Sequence, residues 1–243
     1  AGRFGHLECA EHGNVMLSVW FQLSVTGYKE RKLSIMKLVD MQVKEYLDVL
    51  KSDAPAPGGG SVSALAGAQG VGLFMMVADL TLGKEKYADY QEVCKNAKEK
   101  GMPLYEELVE GIDKDTEAFN LVAAAFKMPK TSDEEKAARK QAIADGTLVS
   151  TEVPFRTMQL GYEGLMLAKT MIGKSNPNAA SDLGVAILNL TGCIKGAWLN
   201  VKINLPGIKD EVKAKYYAEE GQKMFDEADG IAHELYNQVA ESL

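Results

Sequence analysis

The sequence predicts an all-α fold, an elongated bundle of about five to seven long helices, some of them kinked. Three observations carry this. Apolar residues recur at i, i+3, i+4 and i+7 in segment after segment. No stretch alternates apolar and polar residues between hairpin turns, so strands are not expected. Helix-stopping signals punctuate the chain, at Pro55-Ala56-Pro57-Gly58-Gly59-Gly60, Gly83, Asn176-Pro177-Asn178 and Pro206-Gly207. The 243 residues, 46% hydrophobic and 25% charged, are enough for one large domain or two small ones. With no internal repeat and no low-complexity linker, one all-α domain over 36–243 is the reading. The net charge is −7, and lysines and arginines are mixed with acids throughout, which argues against a nucleic-acid partner. Cys9, Cys94 and Cys193 are odd in number and far apart, which fits a reducing, cytoplasmic setting rather than a disulfide scaffold. His6, His12 and His233 stand at no ligand spacing, so no metal site is expected.

Taken in order, residues 1–35 do not resemble the rest. Val15 to Val25 is a short apolar run without a basic flank, a poor signal peptide. Glu30-Arg31-Lys32 is codable by a purine-rich run of the kind found before bacterial start codons. Met36 is therefore expected to be the initiator, with 1–35 an extension outside the fold. Val39, Val43, Tyr46 and Leu50 then share one face of a first helix. A second helix is expected from Ser61, as N-cap, to Leu82, with Gly83 ending it. Asp79 is its one charge, so the segment is apolar enough to span a membrane. Gly67, Gly70 and Gly72 equally suit a buried central helix, and nothing else in the chain is membrane-like, so no membrane partner is expected. Asp89 to Lys127 reads as a long helix, broken or kinked at Gly101-Met102-Pro103, with Leu104, Leu108, Ile112, Phe119, Val122 and Phe126 as its apolar stripe. Ser132 and Glu135 form a capping box for a helix running to about Ile172 through a kink at Pro154. Ser181 is expected to cap the next helix, which ends near Leu205-Pro206-Gly207. A final amphipathic helix starts at Lys209 or Asp210.

The glycine run is the first candidate site. Two prolines and three glycines before Ser61 read as a tight loop that delivers backbone N–H groups to a helix start, where an anion or a polar ligand edge binds. The same residues could simply let two helices approach. Asp115 falls within an apolar stripe, three after Ile112 and four before Phe119, and Asp113 lies at the stripe's margin. Such a carboxylate is either a general acid/base or a satisfied structural group. Asp182, in the first turn after Ser181, suits the helix dipole. Asn200 and Asn204 share a helix face and could hold a ring edge with paired donors and acceptors, or tie down the break that follows. Lys84 and Lys86 could bind an acidic tail or be solvated.

Five pieces in one order, Pro57-Gly58-Gly59-Gly60-Ser61-Val62, Leu80-Thr81-Leu82-Gly83-Lys84, Asp113-Lys114-Asp115-Thr116-Glu117-Ala118-Phe119, Ser181-Asp182-Leu183 and Asn200-Val201-Lys202-Ile203-Asn204-Leu205, resemble the cyclodeaminase/cyclohydrolase family of tetrahydrofolate enzymes. The resemblance covers nearly all of 36–243 and leaves out 1–35. It implies an all-α bundle that forms a homodimer, with a polyglutamylated tetrahydrofolate derivative bound in a cleft near the interface. The length leaves no space for a fused transferase domain, so the stand-alone form is implied. The activity implied first is formimidoyltetrahydrofolate cyclodeaminase, and second methenyltetrahydrofolate cyclohydrolase. A non-catalytic folate-binding dimer is the third reading. The family's catalytic aspartate carries over to Asp113 or Asp115, with Asp115 favoured by its place in the stripe. Pro57, Gly58, Gly59, Gly60, Ser61, Ser181, Asp182, Asn200 and Asn204 are then substrate-binding, and Lys84 and Lys86 meet the polyglutamate tail. No cofactor beyond the folate substrate is implied. Asp79 departs from the family pattern and receives no role.

Overall fold

Five long α-helices and one short one make up the fold of residues 36–243, the part of the chain that the computed structural model describes. They are α1 (Val43–Leu50), α2 (Gly59–Asp79), α3 (Gln91–Lys127), α4 (Asp133–Met171), α5 (Ala180–Asn204) and α6 (Glu211–Glu241). Four 3-10 turns join them, at Leu38–Asp40, Glu85–Tyr90, Pro177–Ala179 and Leu205–Gly207. No strand occurs among the described residues. The expectations for 1–35, including Val15–Val25, Cys9, His6, His12 and the origin of Met36 as initiator, lie outside the described residues.

The two most apolar helices take the centre. α2 packs on α3 and α5, α4 on α3 and α5, and α6 covers the outer side of α5. Phe74 and Val77 of α2, Leu108 of α3, Met158 and Leu165 of α4, Ile187, Leu190 and Ile194 of α5 and Leu235 of α6 are fully buried in one cluster. α2 is long and apolar enough to cross a membrane, and here most of it is buried inside the bundle instead. Its glycines let side chains of the neighbours enter. A Cβ on Gly70 would fall 2.6 Å from Leu190 Cγ and 2.9 Å from the Ala186 carbonyl oxygen.

Several local expectations are corrected. α2 begins two residues before Ser61, with Gly58 as N-cap. Ser61 is not the cap because its hydroxyl, buried, donates to the Ile112 carbonyl of α3 at 2.7 Å. None of Gly58, Gly59 and Gly60 has positive φ; among the described residues only Gly83 (73°) and Gly173 (66°) do. Ser181 likewise lies inside the first turn of α5, whose cap position is Ala179. The 3-10 turn Pro177–Ala179 already winds the chain, and its own cap is Asn176, which accepts the Asn178 N–H at 3.1 Å. α2 ends at Asp79, three residues before Leu82. Asp79 itself is exposed and pairs with Lys98 at 2.6 Å, a surface contact of small energetic weight. Val39 and Val43 do not share a buried face with Tyr46: Leu38–Asp40 forms a separate turn, and of the α1 residues only Tyr46 is buried.

α3 runs unbroken through Gly101-Met102-Pro103, and α4 through Pro154. The apolar stripe of α3 leaves the core after Ile112. Phe119 and Phe126 are 40% and 58% exposed because α3 extends past the start of α2, which meets it at Asp115. The Ser132/Glu135 capping box forms as expected, with the Glu135 N–H donating to Ser132 Oγ at 3.2 Å.

The seam between α2 and α5 is testable. Gly70→Ala should lower unfolding free energy by about 1–3 kcal/mol in urea titrations, since the backbone oxygen of Ala186 cannot retreat. An unchanged midpoint would refute the packing described.

Candidate functional site

The site is built where the first turn of α2 meets the middle of α3. The N-terminal N–H groups of a helix have no partner within it and carry partial positive charge. Asp115 supplies one from outside: its Oδ2 accepts the Ser61 backbone N–H at 2.9 Å and lies 3.4 Å from Ser61 Oγ. Ser61 Oγ also lies 3.3 Å from Thr116 Oγ1. The approach depends on residue 60 having no side chain. A Cβ there would sit 1.9 Å from Asp115 Oδ1 and 2.3 Å from its Cγ. Gly59 is close to Asn200 in the same manner, with a Cβ meeting its Nδ2 at 3.2 Å, whereas around Gly58 there is open space.

Burial raises the Asp115 carboxyl above the ordinary aspartate range, and the bonds from Ser61 pull against that rise. No described residue donates to Asp115 Oδ1, so one oxygen is anchored and the other is available. Asp113, two residues away and about 200° around the helix, does different work. Its Oδ1 accepts the Leu38 backbone N–H at 2.6 Å and so ties down the segment before α1.

Beside Asp115 lies a cleft of about 310 Å³, at the small end of the range for ligand sites. Pro55, Gly58 and Gly59 form one wall, Thr116 and Phe119 another, Asn200 and Asn204 a third. Asn204 donates through Nδ2 to the Ser150 and Asn200 carbonyls at 2.8 and 3.0 Å, which leaves its Oδ1 as an acceptor. Asn200 Nδ2 donates to the Gly196 carbonyl at 2.8 Å. Phe119, read from the sequence as core, is instead a half-exposed ring on the cleft wall. Its position four after Asp115 was the available signal. Ser150 carried none, since it arrives from α4.

The structure therefore brings together Asp115, Gly58, Gly59, Gly60, Ser61, Asn200 and Asn204, with Pro57 in the loop that leads in. It does not bring Lys84, Lys86, Ser181 or Asp182 to this cleft. The 21 residues of α2 span about 30 Å, and Lys84 and Lys86 follow its far end. Ser181 and Asp182 open α5, whose other end carries Asn200 and Asn204. Lys86 lines a separate cavity of about 450 Å³ with Tyr87, Ala180, Leu183 and Val239, and its ammonium lies 5.4 Å from the Tyr87 ring centroid. Among the described residues, no group of three or more histidine, cysteine or carboxylate side chains is placed to hold a metal ion.

The chain is similar to known proteins. Residues 42–223 match a protein-family model described as formiminotransferase-cyclodeaminase. The methenyltetrahydrofolate cyclohydrolase of Methylorubrum extorquens is 37% identical over 197 residues, covering 81% of this chain and 95% of that protein. The formimidoyltransferase-cyclodeaminase of Gallus gallus is 32% identical over 175 residues, and there the chain spans 32% of the longer protein. The crystal structure of formiminotetrahydrofolate cyclodeaminase from Thermotoga maritima superposes with a TM-score of 0.70 at 25% identity, covering 85% of this chain and 98% of that one.

Gly60→Ala should displace the carboxylate. Its added methyl would overlap Asp115, so stability is expected to fall by about 1–3 kcal/mol. A crystal structure of the variant should show the Asp115 side chain turned away from Ser61; a carboxylate still seated on the Ser61 N–H would contradict this account.

Proposed function

Because the chain belongs to the formiminotransferase-cyclodeaminase family, we propose that it works at the one-carbon bridge of tetrahydrofolate as a methenyltetrahydrofolate cyclohydrolase, with Asp115 as the proton-transfer group. The observation that carries the reading is the Asp115 carboxylate on the wall of the cleft, anchored through Oδ2 and without a donor to Oδ1 among the described residues. The M. extorquens relative, matched over nearly its whole length, supports the choice of reaction.

The chemistry follows from the groups present. The methenyl bridge is an amidinium cation, and a carboxylate beside it offsets that charge. Asp115 takes a proton from water as its oxygen bonds to the bridging carbon. The carbon becomes tetrahedral, the bond to N5 breaks, and Asp115 returns the proton to N5. The carbinol O–H proton leaves to solvent, which gives the 10-formyl product with one net proton released. Phe119 offers a ring face to the planar cation. Asn200 and Asn204 present amide groups to the pterin edge. The mechanism uses no cofactor beyond the folate substrate.

The second reading is formimidoyltetrahydrofolate cyclodeaminase, favoured by the T. maritima structure. There N10 attacks the carbon of the protonated formimidoyl group on N5. Asp115 takes the N10 proton and delivers it to the amino group, which leaves as ammonia and gives the methenyl cation. The same carboxylate and cleft serve both reactions.

The proposal includes a cytoplasmic homodimer. Val62 and Met76 on α2, Leu80 just after it, and Val185, Leu188, Leu199 and Ile203 on α5 are exposed apolar residues on adjacent helices, a surface suited to a second copy. Within one protomer, about 30 Å separates Lys84 and Lys86 from a substrate at Asp115. Their contact with a polyglutamate tail needs a tail of several residues that covers this distance or one that crosses to a neighbouring copy.

Purified protein should consume methenyltetrahydrofolate, seen as loss of the methenyl chromophore. Turnover of the formimidoyl substrate with ammonia release would establish the second reading, and turnover of neither would reduce the protein to a folate-binding dimer. Asp115→Asn should lower kcat/KM by about 10²-fold or more; wild-type turnover would remove the assigned role. The same variant should melt at a higher temperature at neutral pH. The folded carboxyl holds its proton to higher pH than the unfolded one, so its stability contribution is full at acid pH and is lost as pH rises through the raised value. A neutral isostere escapes that loss. For the wild type, kcat/KM should fall on the acid side with a midpoint above the ordinary aspartate range, because the base form is required.

A further inference from the structure

Tyr46 is the one α1 residue that is buried, 6% exposed, and the mechanism above does not use it. Its ring packs against Ala64 of α2 and Ile112 of α3. Those two residues lie one turn from the groups that hold Asp115: Ala64 follows Ser61 by three, and Ile112 precedes Asp115 by three and accepts the Ser61 hydroxyl. The Tyr46 hydroxyl is sealed from solvent and has no hydrogen-bond partner among the described residues. An orphaned buried hydroxyl is destabilising, and a phenyl ring would fill the same space without it. With no acceptor to fix its torsion, the O–H is free to turn with the local field.

The charged groups on the neighbouring elements make contacts of their own. Asp113 accepts from Leu38, Lys114 pairs with Glu110, Lys44 with Asp48, Glu45 caps Gln42, and Lys202 lies over the Trp198 ring. Tyr46 packs one turn from the residues that anchor Asp115, and in keeping with this, burial first and the Asp115 charge second raise its phenol.

We propose that Tyr46 is a positioning residue for Asp115: its free hydroxyl turns its positive end toward the carboxylate and supports the charged form that proton transfer requires. The inference rests on the functional reading of Asp115 given above. It assigns Tyr46 no contact with substrate.

The test is a titration of Asp115 by carboxyl ¹³C NMR in aspartate-labelled protein, with its resonance identified by loss in Asp115→Asn. In Tyr46→Phe the midpoint should rise by about half a pH unit, about threefold in ionisation constant, since the anion loses a favourable dipole. The acid limb of kcat/KM should move up with it, and Lys44→Gln should move neither. Coincident midpoints in wild type and Tyr46→Phe would overturn the inference. So would a marked drop in the Tyr46→Phe melting temperature, which would mean that the hydroxyl is bonded structurally; an equal or higher one is expected. The titration needs no substrate. A shifted midpoint in a protein that turns over neither folate would therefore strike the functional reading while leaving the coupling of Tyr46 to Asp115 standing.

Discussion

The Asp115 carboxylate occupies the space that a side chain on residue 60 would fill, and the rest of the site depends on this contact. The absence of a Cβ on Gly60 lets α2 and α3 meet close enough for the Ser61 N–H to reach Asp115. Each partner answers a deficit in the other. The helix start has donors without acceptors, and the carboxylate has been taken out of water. The bonds from Ser61 offset part of the burial penalty but leave the acid with a raised affinity for protons. A group held in that condition is poised to give and take a proton, and it is tolerated because a large core lies next to it.

The contact also sets direction along the bundle. The Asp115 cleft is lined by the loop before α2 and the start of that helix, the middle of α3, Ser150 of α4 and the end of α5. The opposite ends of α2 and α5 form another neighbourhood, with Lys86, Tyr87 and the first turn of α5. Two aspartates two residues apart divide the work because a helix turns them to different sides. One faces the glycine, and the other fastens the segment leading into α1.

Much of the fold was legible because it is local. Helix type followed from apolar spacing, and the Ser132/Glu135 box from four consecutive residues whose partners are one another. The Ser61 and Ser181 caps were misread for the opposite reason. Ser61 is claimed by a carbonyl of another helix, and a 3-10 turn displaces the start of α5. Asp115 stood out as a carboxylate in an apolar stripe, and the glycine run marked a close approach, though not what approached. The separation of Lys84 and Lys86 from Gly59 was contained in the length of α2. Ser150 and the environment of Tyr46 were not readable, since both arise from helices far apart in sequence.

The helices that hold the site differ greatly in how firmly they are themselves held. α5 lies against α2, α4 and α6, and Ile187, Leu190, Ile194 and Val201 have no exposure at all. Its amides should exchange with deuterium only when the whole bundle opens. α1 is eight residues long and rests on Tyr46 and a few neighbours, with the Leu38 N–H as its outer fastening. That end can detach in a local fluctuation without disturbing the core. One side of the carboxylate thus faces the most deeply packed helix of the bundle and the other its shortest one, so loosening of α1 would alter the surroundings of this acid without disturbing its Asn200 and Asn204 wall.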